Sequence, residues 1–129
     1  MTGPRLERVG AEAFDGDRLR RPGRVAVAFL ADWCPFCRAF EPEFARIAAG
    51  APERFLVADL TSEESPLWER FRVEIVPTVV VFDSGRAVFR ADGVAGEGLD
   101  ERDLEAVSTA VRSGSPPAPV RGASPGRPK

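Results

Sequence analysis

The chain has 129 residues, 43% of them hydrophobic and 29% charged, with a formal net charge of −2. That is enough for one sizeable core without disulfide staples, in a composition ordinary for a globular protein. The balance lacks the basic excess that phosphate neutralisation needs, which excludes general nucleic-acid binding, and no apolar run approaches the ~20 residues that span a bilayer.

The opening residues, Met1 to Arg8, lack the apolar stretch of a secretory signal, so a cytoplasmic protein is expected unless a leader has been removed. A short strand is predicted near Leu6–Val9 and a helical turn near Ala11–Leu19. After Pro22-Gly23, the run Arg24-Val25-Ala26-Val27-Ala28-Phe29-Leu30 suits a strand buried on both faces, as in a sheet covered by helices. Beyond Cys34-Pro35, residues Cys37, Phe40, Phe44 and Ile47 recur at helical spacing. Pro35 fits a first helical position, and Pro42 inside the pattern should kink the helix. Phe55 to Leu60 reads as a second buried strand. Ser65-Pro66 offers an N-cap and first-turn proline for a short helix through Phe71. Thr78–Phe82 and Ala87–Arg90 flank Asp83-Ser84-Gly85-Arg86 as a hairpin. Asp100 can cap a last helix bearing Leu104, Val107 and Val111 on one face, with Gly114 just beyond it. Residues 113–129, rich in Pro, Gly and Ser, are expected to be a disordered tail; its Pro116 and Pro119 make only a nominal PxxP. The order predicts one domain over residues 1–112: an α/β layered sheet with helices on both faces.

Trp33-Cys34-Pro35-Phe36-Cys37 lies where a buried strand turns into a helix. Cys34 would stand at the helix N-terminus, where free N–H groups and the helix dipole favour a thiolate, the attacking species. Cys37, three residues on, shares that helix face and can close a tight disulfide with it. Trp33 and Phe36 supply apolar surface beside the sulfur. A purely structural disulfide would constrain little, because so short a loop has little closure entropy. A zinc site wants about four ligands, of which two cysteines supply half; a dimer sharing one metal would supply the rest. Histidine is absent, which removes Ser-His and Cys-His catalysis. A CxxC in this setting points to redox chemistry, with no metal and no cofactor. Farther along, Pro77 in Ile75-Val76-Pro77-Thr78 begins an apolar strand, either as an ordinary trans proline or as a cis proline offering the backbone of Val76 to a partner peptide.

These features together resemble the thioredoxin family. The tryptophan-CxxC motif, Pro42 in the following helix, Ile-Val-Pro-Thr, Phe82-x-x-Gly85 and Gly93 fall in thioredoxin order over residues from about 6 to 112. The resemblance implies a thioredoxin fold, with a central mixed sheet of four to five strands. It makes Cys34 the exposed nucleophile, Cys37 the resolving thiol and Pro77 a cis-proline facing them. Trp33, Pro35, Phe36, Val76, Gly93 and Val94 would border the partner groove. The expected activity is reduction of disulfide-containing proteins by a monomer, recharged by a reductase. Oxidant or isomerase activity, or a binding module without turnover, are the alternatives.

The chain also departs from the family. Pro-Phe replaces Gly-Pro between the cysteines; glutaredoxins favour Pro-Tyr, but the Gly-Gly pair that holds glutathione is missing. Thioredoxins bury an aspartate on the strand before the motif and pair it with a lysine on the next strand. Ala28 and Asp59 occupy those positions here, and Leu30 stands where a tryptophan is usual. Without the aspartate, Cys37 loses its proton acceptor, and Asp59 is the sequence's candidate to replace it.

Overall fold

The computed structural model describes residues 6–113. Along the chain run β1 (Glu7–Val9), a 3₁₀ turn (Ala11–Ala13), β2 (Phe14–Asp15), β3 (Arg18–Leu19), β4 (Arg24–Leu30), α1 (Pro35–Ile47), β5 (Phe55–Asp59), α2 (Leu67–Arg70), β6 (Thr78–Asp83), β7 (Arg86–Asp92) and α3 (Glu101–Ser113). Five strands form one sheet in the order β1-β5-β4-β6-β7. β1, β5 and β4 are parallel, while β6 and β7 join antiparallel.

Side chains alternate across the sheet, so each strand serves two apolar layers. Ala28 of β4 pairs with Val57 of β5, and Ala26 with Phe55, on the face where Phe44 of α1 meets Phe55 edge-on at 5.5 Å. α3 packs beside α1 against β4, β6 and β7. Phe29 and Phe82 point the other way, into a cluster with Phe14 and Phe71, whose rings lie 5.0 Å apart. Burying each such ring is worth about 1.5–3 kcal/mol, which makes these two layers the main source of stability.

Of the helical turn expected near residues 11–19, only the 3₁₀ turn Ala11–Ala13 forms. After the 3₁₀ turn the chain folds into a small hairpin, Phe14 opposite Leu19 and Asp15 opposite Arg18, turned through Gly16 at φ +62°. Phe14 and Leu19 are both 3% exposed. Positions five apart diverge by about 140° on a helix, so only the hairpin buries both. α1 continues through Pro42 as one helix. The β6–β7 turn is tighter than the sequence indicated: Asp83 already pairs with Arg86, leaving Ser84 and Gly85 in the left-handed region at φ +53° and +92°. That is the geometry a two-residue hairpin demands. Ser65 Oγ accepts the Leu67 amide at 3.2 Å ahead of α2. Asp100 and Asp103 cap each other's backbone amides at the start of α3, at 3.1 and 2.8 Å. Ser113, assigned to the tail by composition, closes α3; Gly114, the PxxP and the rest of the tail lie outside the described residues.

Candidate active site

β4, the central strand, delivers the chain to one end of the sheet, and the turn at Ala31–Trp33 is closed by a hydrogen bond from the Cys34 amide to the Ala31 carbonyl, 3.1 Å. Cys34 is the N-cap of α1, in extended conformation, and Pro35 opens the helix. The Cys34 Sγ accepts the Cys37 amide at 3.2 Å and lies 3.5 Å from the carbonyl oxygen of Val76. An N–H aimed at sulfur at the start of a thirteen-residue helix is where negative charge on that sulfur is accommodated best. Both cysteines are free thiols; Cys34, expected to be exposed, is only 5% exposed, with its sulfur against the Val76 carbonyl, and Cys37 is 2% exposed.

The opposite wall comes from the loop before β6 and the one after β7. The Val76–Pro77 peptide is cis, the second of the two alternatives open in the sequence. Gly93 packs so closely that a Cβ there would lie 2.5 Å from the Pro77 carbonyl oxygen. Val94 then bridges to Gly98, where an added Cβ would lie 3.2 Å from Phe36. Val76 thus faces Cys34, with Gly93 packed on Pro77 behind it, and two of the expected groove residues are solvent-facing: Trp33 is 52% and Phe36 42% exposed.

Trp33 is held rather than loose. Its indole N–H donates to the Thr61 carbonyl at 2.9 Å, and its ring stacks on Trp68, centroids 6.3 Å apart and 7° from parallel. Thr61 Oγ1 accepts the Asp32 amide, and the Thr61 amide donates to Asp59 Oδ1, both at 2.9 Å. Thr61 and Trp68 were missed by sequence reasoning; no spacing rule connects residues 33 and 68, and only the fold stacks them.

Charge around Cys37 is arranged in a way the sequence did not reveal. Burial, first of all, and then the Cys34 thiol and its charge push the Cys37 pKa up to about 12, and Glu41 adds to the rise. Arg8, Val57 and Ala28 are aligned across β1, β5 and β4, on the face beneath α1. The position where a buried carboxylate was expected is a methyl group, and the nearest charge in that row is Arg8 at its outer end. Arg8 binds both carboxylate oxygens of Glu41, at 3.1 and 3.3 Å, and Asp32 lies 3.8 Å away. Asp59 sits at the exposed end of β5. Partial burial pushes its pKa up, but the Thr61 hydroxyl and amide and the charge of Arg8 together hold it below the ordinary value.

A dithiol at a helix N-terminus, faced by a cis-proline and carried on this sheet order, defines a thiol–disulfide oxidoreductase of thioredoxin fold. The family model described as Thioredoxin matches residues 6–106, and the chain belongs to the thioredoxin family. It is 33% identical over 100 residues to the H-type thioredoxin of Picea mariana, covering 78% of this chain and 75% of that one. It is 33% identical over 96 residues to the bifunctional thioredoxin reductase/thioredoxin of Mycobacterium leprae, covering 74% of this chain but 21% of that much longer one. Spinach chloroplast thioredoxin f (long form) has the same fold, at TM-score 0.67 and 21% identity over 84% of this chain and 87% of that one. Among the described residues no helix is long and apolar enough to cross a membrane.

Proposed function

We propose that this oxidoreductase works as a reductant of disulfides in partner proteins. The Cys34 thiolate attacks one sulfur of a partner disulfide, forming a mixed disulfide while the other partner sulfur leaves as a thiolate and takes a proton. Cys37, deprotonated, then attacks Cys34 Sγ, closing the Cys34–Cys37 disulfide and releasing the second partner thiol. Two electrons and two protons have passed to the partner. Trp33, Pro35, Phe36, Val76, Pro77, Gly93 and Val94 border the groove that holds it. The Mycobacterium leprae relative is named as both reductase and thioredoxin, which supports a reductase as the donor that restores the dithiol here. We assign the protein to the cytoplasm as a monomer, with residues 114–129 as an appended tail.

The observation that carries this reading is Cys34 Sγ, 3.2 Å from the Cys37 amide and 3.5 Å from the Val76 carbonyl, flanked in sequence by the exposed Trp33 and Phe36. Insulin reduction tests it. Cys34→Ser should abolish turnover, and Cys37→Ser should trap partners as mixed disulfides; full activity in either variant overturns the scheme.

Cys37 needs a proton acceptor. Asp59 is the sequence's candidate; it sits at the exposed end of β5, where its Oδ1 accepts the Thr61 amide that organises the Trp33 turn. Glu41 lies one helical turn beyond Cys37 and its charge is felt there. We assign the proton to Glu41, oriented by Arg8, and give Asp59 a positioning role.

A further inference from the structure

The β6–β7 hairpin carries a second concave site, at the far end of the sheet from the cysteines. The register places it: Thr78, next to Pro77, begins β6, whereas Asp83 and Arg86 at the other end pair beside Arg24, where β4 begins. An open cleft of about 450 Å³ lies there between the β2–β3 hairpin, the end of α2 and β7, lined by Arg18, Arg70, Arg72, Arg86 and Arg90, with Asp17 the one acidic residue in its wall. Its volume falls within the ~300–1,000 Å³ range of small-molecule sites.

The chain as a whole carries net charge −2, so this concentration of guanidinium groups is local and runs against the average. Like charges gathered around one concavity repel each other, and their summed field favours an anion between them. Arg90 is the fixed member. It donates to the Phe71 and Arg72 carbonyls, at 2.6 and 2.9 Å, and is paired with Asp92 at 2.8 Å. Arg72 itself ends α2 in the left-handed region, at φ +53°, with its amide donating to the Glu69 carbonyl at 3.1 Å and the Val73 amide to the Trp68 carbonyl at 2.8 Å, so its position is fixed by the helix terminus as well as by Arg90. Arg70 reaches the Gly16 carbonyl at 3.5 Å, tying α2 to the β2–β3 turn. Leu19 N–H donates to the Gly85 carbonyl at 3.0 Å, fixing the two hairpins against each other. The scaffold is thus cross-braced, while Arg18, Arg72 and Arg86 form no ion pair among the described residues.

We propose that this cleft binds a compact phosphate-bearing small molecule with at least two negative charges, such as an inorganic or nucleoside diphosphate, independently of the thiol chemistry. Planar guanidinium forks suit phosphate oxygens bidentately, and three of them free around one braced cleft supply the geometry. Concavity favours a small polyanion over an extended acidic segment, which would need a flat or grooved track.

Calorimetric titration of the full-length protein with inorganic pyrophosphate and with ADP, at low and raised salt, tests this. Saturable binding of one equivalent, weakening as salt rises, is expected. Arg72→Gly, which relieves the left-handed backbone while removing the charge, combined with Arg86→Gln, should weaken binding at least tenfold with insulin reduction unchanged. Absence of saturable binding by both probes, an unchanged affinity in the double variant, or tighter binding of hexaglutamate than of pyrophosphate would overturn the proposal. Because insulin reduction is read in the same samples, failure here is distinguishable from failure of the redox assignment.

Discussion

At the scale of single residues, the two cysteines have opposite surroundings. Cys34 Sγ meets an amide N–H at the helix start, whereas Cys37 is buried and held at a pKa of about 12. A raised thiol pKa means less thiolate at any given pH, so Cys37 is protonated through the neutral range and its attack must be assisted. Formation of the mixed disulfide removes the Cys34 contributions and leaves burial as the main cause. Release of the trapped partner should therefore accelerate with pH, by up to tenfold per unit where hydroxide supplies the base. Glu41→Gln should slow this release about tenfold or more at pH 7, the deficit shrinking as pH climbs, with KM unchanged. Asp59→Asn should instead raise KM, by loosening the Thr61 turn that holds Trp33. Stopped-flow release rates across pH check both, and a Glu41→Gln profile superimposed on the parent's would remove Glu41 from the mechanism. Sequence alone found both cysteines, because a CxxC is a local pattern. It could not find Glu41, because the pertinent row, Arg8–Val57–Ala28, exists only once three strands are in register.

At the scale of elements, the site depends on how closely two loops approach. Gly93 admits no Cβ, since one would lie 2.5 Å from the Pro77 carbonyl oxygen, backbone against backbone. Gly93→Ala must displace the loop next to Val76, which faces Cys34. A stability loss of about 1–3 kcal/mol is expected, as for overpacking generally, together with a several-fold rise in KM for insulin; thermal melts and steady-state kinetics measure the two. An unaltered KM would mean that this wall does not hold the partner. Most elements were legible from hydrophobic periodicity: β4, α1, β5, β6 and α3 fall where the apolar residues recur. The β2–β3 hairpin was not, because two-residue strands show no period, and its reason for forming is tertiary. Phe14 joins Phe29, Phe71 and Phe82 only after the sheet exists.

At the scale of the molecule, two apolar layers hold one sheet, and each supports a different feature. The α1–α3 face carries the dithiol; the opposite face rests on the Phe14–Phe29–Phe71–Phe82 cluster and frames the arginine cleft. Phe14→Ala should cost about 3–5 kcal/mol, the usual range for emptying an aromatic core position, while leaving per-molecule turnover intact below the lowered melting temperature. A comparable loss of turnover at low temperature would show that this layer, too, shapes the redox site. The family's fold was legible because its marks, tryptophan-CxxC, Ile-Val-Pro-Thr and Gly93, are punctuation in the chain. The cleft was not, because Arg18, Arg72 and Arg86 converge from three separate elements, in a chain whose basic residues are nearly all arginine. The central claim, that the Cys34–Cys37 pair donates electrons to partner disulfides, is tested most directly by its reduction potential. Equilibration with a dithiothreitol or glutathione buffer would be followed by Trp33 fluorescence, with Trp68→Phe removing the stacked neighbour from the signal. A potential near about −270 mV is the predicted result, and one near about −180 mV or higher would contradict it by making the protein a donor or shuffler of disulfides.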